Sequence, residues 1–196
     1  MKTTILGLRD TGRVSKLYAD AFSKDAILMK TYSLRPGDLQ GFFRTLHRLF
    51  FKGKPAMAIG LEENGALLSA TTLIGSDFRA GPKEFFSAVA GSNQELGWLR
   101  AGWFWLINLY QSILSAPKSP CWRLLFIGTR TDCIGRGLGK ALLEETFRVL
   151  PGKRIQLEVE AVNPAGRLYD RMRFREERRF RLMGAEWRVM VREPKM

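Results

Sequence analysis

Three glycines alternate with other residues at the start of a predicted helix, and this turn constrains the fold and chemistry of the chain most strongly. A buried strand is predicted before it at residues 122–127, and an amphipathic helix after it at about residues 138–149. The glycines are Gly135, Gly137 and Gly139. Glycine lets the backbone approach a ligand closely, and successive N–H groups at a helix start attract an anion. The turn therefore indicates a phosphate or pyrophosphate site, to which Arg136 and Lys140 add positive charge.

Two other phosphate-binding loops fit this turn less well. A G-x-x-x-x-G-K-[ST] loop would have a magnesium-binding hydroxyl where Ala141 stands. A G-x-G-x-x-G loop, counted from Gly135, would require a glycine at Lys140, and it would come near the beginning of its β-α-β run. The alternative without a ligand is a tight strand-to-helix turn whose glycines serve packing.

Residues 134–139 resemble motif A of the GNAT acetyltransferases, written [QR]-x-x-G-x-[GA], with Ile134 in place of the Gln or Arg. The resemblance implies a GNAT-like acyl-CoA N-acyltransferase fold, which is α/β with a mixed sheet, and acetyl-CoA as co-substrate. It also implies that a backbone N–H near the end of the preceding strand holds the thioester carbonyl. The residues that it assigns to cofactor binding here are Ile127, Gly128, Thr129, Ile134, Gly135, Arg136, Gly137, Leu138, Gly139 and Lys140.

A second segment, residues 157–174, resembles motif B of the same superfamily. Asn163, Leu168, Tyr169 and Phe174 correspond to that motif, whereas Gly166 and Arg173 depart from it. The resemblance implies that Asn163 contacts coenzyme A and that Tyr169 donates a proton to the departing thiolate. A tyrosine hydroxyl titrates near pH ~10, so it is protonated at neutral pH and can act as an acid. The alternative for Tyr169 is a core aromatic residue on a short helix predicted at residues 163–172.

The reaction that the resemblance implies is direct attack of a neutral amine on the thioester in a ternary complex. A carboxylate must first remove a proton from the ammonium group of the acceptor. Glu158 and Glu160 lie on one face of a strand predicted at residues 155–160 and are the candidates for this base. The alternative for both is a solvated strand face.

The order of predicted elements is β-α-α-β-β-(insert)-β-α-β-α-β-β, which describes a single mixed α/β domain over residues 1–196. Strands are predicted at residues 4–8, 56–61 and 66–74, and Asn64–Gly65 marks the hairpin turn between the last two. Asp10 or Thr11 is expected to cap the first helix. A helical, aromatic-rich insert occupies about residues 77–120.

The insert contains a short helix candidate at residues 83–90 and a long helix candidate at residues 95–116 that is apolar on nearly every side. Such a helix is expected to be buried on most sides. Arg100, Asn108 and Gln111 argue against a membrane span. The remaining interpretations are a helix of an enlarged core, or one whose Trp103 and Trp105 wall the acceptor pocket or contact a second copy of the chain.

The net charge of +13 favours an anionic partner without identifying it. A basic nucleic-acid-binding module is thus an alternative function, supported by the arginines of residues 171–181, although Glu176 and Glu177 interrupt that run and disfavour it. A non-catalytic acyl-CoA sensor of the same fold is another. The acceptor is expected to be a small-molecule or peptide amine.

The rare residue types indicate no metal or disulfide site. Cys121, Cys133 and the single histidine, His47, form neither a disulfide framework nor a zinc pattern. His47 is expected to have a packing or surface role. The first residues lack the apolar run of a signal peptide, which together with the cysteine count predicts a cytoplasmic protein.

Overall fold

A computed structural model describes residues 1–79 and 81–194 and places them in a seven-stranded sheet with helices on both faces. The strands are β1 Lys2–Leu6, β2 Lys54–Glu63, β3 Ala66–Arg79, β4 Trp122–Thr129, β5 Ile155–Glu160, β6 Arg175–Leu182 and β7 Ala185–Arg192. The helices are α1 Thr11–Ala21, α2 Ala26–Thr31, α3 Leu39–Lys52, α4 Pro82–Leu96, α5 Trp98–Leu114, α6 Leu138–Val149 and α7 Gly166–Arg171. The expected mixed α/β fold is confirmed.

The sheet has an irregularity at its centre, between β4 and β5. Its strand order is β1-β2-β3-β4-β5-β7-β6, and β4 and β5 are its parallel neighbours. They pair only from Trp122↔Ile155 to Leu124↔Leu157, whereas β4 stays paired with β3 as far as Thr129↔Ser69. A register shift opposite Leu73 leaves Leu125 as an extra residue, and such a bulge bends its strand. Beyond Leu124, β4 therefore diverges from β5 and leaves an open edge inside the sheet.

The two faces of the sheet carry separate cores. Tyr18, Phe43 and Phe126 form an aromatic cluster that packs α1 and α3 on one face. On the other face, α6 contributes Leu142 and Leu143, which are fully buried against the sheet. Side chains of β5 alternate between these faces, which decides where each candidate catalytic residue points.

Most predicted elements are present, with differences at their ends. Helix α2 was not predicted, because its six residues are too few for a periodic pattern; Asp25 caps it by accepting a hydrogen bond from Leu28 N at 2.8 Å. Strand β3 continues beyond residue 74, to Arg79. Asp10, one of the two predicted caps, is the N-cap residue of α1, but its carboxylate makes no capping bond to that helix and instead accepts from Gly7 N at 3.0 Å.

The insert differs from its prediction in two respects. The helix candidate at residues 83–90 is longer than predicted, as α4 spans Pro82–Leu96, and the long helix begins at Trp98 rather than at residue 95, because the chain turns at Gly97, where φ is +77°. The expected burial on most sides was also wrong, since only Ala101, Phe104 and Ile107 of α5 are buried. No helix in the described ranges is long and apolar enough to cross a membrane.

The single histidine has the packing role expected of it. His47 is 2% exposed and stacks on Phe51 at 4.4 Å between ring centroids. The Thr11 hydroxyl donates to Leu8 O at 2.6 Å, so its oxygen accepts from His47 Nδ1–H at 3.0 Å. Burial lowers the pKa of His47 to about 4, and the ring is therefore neutral at neutral pH.

Acidification is expected to destabilise the protein through His47. In an unfolded chain a histidine titrates near pH ~6.5, so between that value and the folded-state pKa the unfolded state binds more protons. We expect the free energy of unfolding to fall by about 2 kcal/mol between about pH 7 and about pH 5 on account of this group. Urea titrations of wild type and His47→Asn at both pH values measure it. An equal pH dependence in the two proteins would contradict this role for the imidazole.

Candidate active site

The glycine turn forms an open cradle of backbone N–H groups. Gly135 and Gly137 have φ values of +89° and +74°, and Gly137 is the N-cap of α6. A Cβ built on either glycine would meet no atom within 4 Å. Within α6 the first N–H bonded to a backbone carbonyl is that of Ala141, which donates to Gly137 O at 3.1 Å. Among the described residues, the N–H groups of Leu138, Gly139 and Lys140 have no backbone acceptor, so they are available to an anion.

The side chains of the turn contribute less than its backbone. Arg136 forms an ion pair with Glu63 at 3.0 Å, and Lys140 lies 3.7 Å from Glu144. Ile134 is 72% exposed. The anion expected at this turn would therefore be bound mainly by backbone N–H groups, as the glycine pattern indicates. Gly139 has a packing role as well, because a Cβ there would lie 3.2 Å from Leu168.

The end of β4 joins this cradle to the open edge of the sheet. Gly128 allows α1 to pack closely, since a Cβ there would lie 2.9 Å from Tyr18 Cδ1. Thr129 and Ser69 share a hydrogen bond at 2.9 Å between their hydroxyl oxygens. Ile127 points to the other face, toward the side of α6. Backbone groups on the unpaired edge of this segment can hydrogen-bond an extended ligand as a neighbouring strand would.

Asn163 lies in the turn before α7, which begins at Gly166 rather than at the predicted residue 163. Its side-chain oxygen accepts a hydrogen bond from Ala165 N at 2.9 Å. This local contact holds the turn, because it satisfies a backbone N–H ahead of the helix. The amide NH₂ of Asn163 is the part of the side chain left to meet a ligand.

Tyr169 belongs to the core below the gap between β4 and β5. It is 6% exposed, its ring lies 5.8 Å from that of Phe174, and its cluster includes Leu124 and Leu157. In the part of the chain that the structure describes, its hydroxyl has no hydrogen-bond partner. Burial raises the pKa of Tyr169, which keeps the hydroxyl protonated at neutral pH.

Glu158 points to the opposite face of the sheet, where it joins α5. Its carboxylate accepts from Arg123 Nη2 at 3.1 Å and from Gln111 Nε2 at 3.3 Å, and the Tyr32 hydroxyl donates to Gln111 Oε1 at 2.7 Å. The side chain of Glu158 is 11% exposed, so the alternative of a solvated strand face was wrong for this residue. Glu158 is part of a buried polar network that ties the insert to β5.

Glu160 lies on the same face of β5, one pleat further along. Burial raises its pKa, and the nearby charge of Asp25 raises it further. Within the described ranges no ion pair engages its carboxylate. A carboxylate with a raised pKa and no cationic partner is a better proton acceptor than an ion-paired one.

The network around Glu158 was not predicted. One sequence signal could have indicated it: Arg123 is a charge inside the otherwise apolar strand at residues 122–127. A buried charge requires a partner, and alternation places Arg123 on the face away from Leu124. The sequence does not show that Glu158 is the partner of Arg123 or that Gln111 lies beside it, because both contacts depend on strand pairing and helix packing.

Two arginines of the late strands, Arg179 and Arg188, are engaged by carboxylates, whereas Arg178 donates to Ala116 O. Arg179 pairs with Glu176 at 2.6 Å and with Glu186 at 3.0 Å, and Arg188 pairs with Glu176 at 2.7 Å. Arg154 pairs with Glu177 at 2.7 Å. These pairs place acidic side chains among the arginines of the β6–β7 hairpin.

Comparison with solved structures identifies the fold, although no protein-family model and no curated protein sequence matches the chain. A protein named histone acetyltransferase HPA2 and related acetyltransferase, from Corynebacterium glutamicum, is similar at a TM-score of 0.68 and 19% identity, over 100% of this chain and 98% of that one. A polyamine N-acetyltransferase from Drosophila melanogaster is similar at 0.61 and 13%, over 98% and 100%.

A third similar structure contains coenzyme A, which is the product that acetyl-CoA would leave. It is the PaiA N-acetyltransferase of Thermoplasma acidophilum in complex with coenzyme A, at a TM-score of 0.53 and 13% identity, over 98% of this chain and 99% of that one. The similarity covers nearly the whole length of each chain. The chain therefore has the fold of the GNAT acetyltransferases.

Proposed function

We propose that this protein transfers the acetyl group of acetyl-CoA to a primary amine. The observation that carries the proposal is the junction of two features: a cradle of free N–H groups at the start of α6 and the divergence of β4 from β5 beside it. The cradle suits a pyrophosphate, and the open strand edge suits an extended, amide-containing arm. Coenzyme A has both parts in this order. The N-acetyltransferases of the same fold add support.

In this proposal, backbone groups bind the cofactor and stabilise the oxyanion. Backbone N–H groups of residues 138–140, at the end of the turn that Gly135 and Gly137 form, hold the pyrophosphate, with the amide of Asn163 at their side. A backbone N–H of residues 127–129 holds the thioester carbonyl and stabilises the oxyanion formed by attack. Direct attack of the amine in a ternary complex then gives the acetylated amine and a thiolate.

Proton transfers involve both faces of the sheet. Glu160 takes the proton from the acceptor ammonium, because none of the described residues forms an ion pair with its carboxylate and its pKa is raised. Glu158 holds Arg123 and Gln111 in place on the acceptor side. Tyr169, from the opposite face, gives its proton to the departing thiolate.

A screen of amines tests this function. Purified protein with acetyl-CoA should release free thiol only when a suitable amine is present, and mass spectrometry should detect the acetylated product. The panel comprises polyamines with agmatine, amino acids, aminoglycosides and peptides with free N-termini. In the same assay Glu160→Gln should lower kcat more than Glu158→Gln does. Binding of acetyl-CoA without turnover on any amine would instead favour the sensor function.

A further inference from the structure

Helix α5 packs Ala101, Phe104 and Ile107 inward and ties Arg100 and Gln111 to the rest of the protein, yet several of its large apolar side chains point outward. Arg100 forms an ion pair with Asp38, Asn108 donates to Phe104 O at 2.8 Å, and Gln111 bonds Glu158. The residues Trp98, Leu99, Leu106, Leu109, Tyr110 and Ile113 are 50–75% exposed. Exposed apolar patches of this extent mark an interaction site on a soluble protein. We call residues 99, 102, 106, 109, 110 and 113 the outer face of α5.

The tryptophans expected to form a contact surface do not lie on this face. Trp103 Nε1 donates to Thr31 O and Trp105 Nε1 to Ser92 Oγ, each at 3.0 Å, and both side chains pack against the core. Their indoles turn inward because the N–H groups find buried acceptors there. The outer face itself consists of residues whose side chains have no polar group, apart from the Tyr110 hydroxyl.

The spacing of the outer face is that of a helix that packs along another helix. Leu99, Gly102, Leu106, Leu109 and Ile113 follow one another at intervals of three, four, three and four residues. This is the heptad spacing of helices that pair nearly parallel or antiparallel to one another. Over these residues α5 is about 21 Å long.

The outer face is complementary to itself in an antiparallel pair centred on Leu106. In that register Leu99 of each copy lies opposite Ile113 of the other, and Tyr110 lies opposite Gly102. Gly102 has nothing within 4 Å of a built Cβ, so the largest side chain of the face meets its smallest residue. A two-fold axis requires one patch to fit itself in this way.

The size of the patch also suits a second copy. Together with Trp98 beside it, the outer face presents on the order of 700 Å² of exposed surface per copy, near the ~800 Å² that each partner buries in a typical stable complex. A lipid surface fits less well, because interfacial helices carry lysine or arginine beside the apolar stripe, and Arg100 of α5 is turned inward to Asp38.

We propose that the outer face of α5 is a homodimer interface, formed by antiparallel packing of two α5 helices about Leu106. The proposal is independent of the acetyl-transfer chemistry. Each copy carries a net charge of +13, so long-range repulsion opposes the dimer and salt screens it. Raising the salt concentration should therefore strengthen the dimer.

Light scattering and sedimentation equilibrium test the interface. We expect wild type at twice the monomer mass of 22.3 kDa, with a dissociation constant that falls as NaCl is added. Leu106→Glu places two like charges at the axis and should weaken the dimer at least about 100-fold. Leu106→Lys should do the same, and mixing the two variants should restore the dimer. Ile5→Glu, an equally exposed apolar site at 59% on β1, is the matched control and should remain dimeric.

Three results would overturn the proposal. They are a monomeric wild type at all salt concentrations, a mass unaffected by Leu106→Glu in a variant whose circular dichroism is native, and mixed variants that stay monomeric. Co-sedimentation of a monomeric wild type with phosphatidylglycerol vesicles, lost as salt is added, would assign the face to anionic lipid instead.

Discussion

Gly137→Asp is expected to weaken acetyl-CoA binding at least about 100-fold while leaving the protein folded. Gly137 is the N-cap of α6 in the left-handed region, and a Cβ there would point into open space. Aspartate tolerates that backbone conformation better than most residues, at a cost of about 1–2 kcal/mol. It is also a favourable N-cap, so its carboxylate would accept from the N–H groups that the pyrophosphate would otherwise occupy.

The size of this effect follows from charge. A hydrogen bond to a charged group contributes about 1.5–3 kcal/mol, and losing one or two of them accounts for a 100-fold change. Repulsion between the new carboxylate and the pyrophosphate adds to the loss. Calorimetry with acetyl-CoA measures the affinity.

Gly152→Asp is the matched control for this experiment. Gly152 follows the other end of α6, has φ +65°, and also has nothing within 4 Å of a built Cβ. The Gly152→Asp variant therefore has similar backbone strain and the same added charge, but at the opposite end of α6 from the cradle. If Gly137→Asp is folded and binds acetyl-CoA as wild type does, the cradle is not the cofactor site.

Tyr169→Phe is expected to lower kcat by roughly tenfold to a thousandfold, which is near the range for loss of a general acid. The affinity for acetyl-CoA should change little, because the substitution removes one hydroxyl from a buried ring. Stability should also be retained, since among the described residues that hydroxyl donates to no acceptor. The substitution should therefore lower kcat and leave the melting temperature nearly unchanged.

Tyr18→Phe provides the contrast for stability. Tyr18 is as deeply buried, and its hydroxyl shares a hydrogen bond with the Thr72 hydroxyl at 2.9 Å. Removing it leaves Thr72 unpartnered and should cost about 1 kcal/mol or more in the free energy of unfolding. Normal turnover in Tyr169→Phe would show that the thiolate takes its proton from another source, such as water.

The sequence alone determined the fold class and the location of the cofactor turn. Gly135, Gly137 and Gly139 lie between an apolar strand and an amphipathic helix, and both signals are local. Positive φ values at Gly135 and Gly137 confirm what alternating glycines predict, because few other residues adopt that backbone region. The element order follows in the same way from short-range periodicity and from breakers such as Asn64–Gly65.

Only the tertiary structure decided which side chains meet and which way α5 faces. Periodicity shows that Glu158 and Glu160 share a face, but the pairing of Glu158 with Arg123 and Gln111 joins residues far apart in the chain. The sequence of α5 is apolar on nearly all sides, so its pattern selects no inward face. The inward face is decided by Asp38, Thr31 and Glu158, which bind polar groups of α5. A buried polar group must be hydrogen-bonded, whereas an exposed leucine needs no partner.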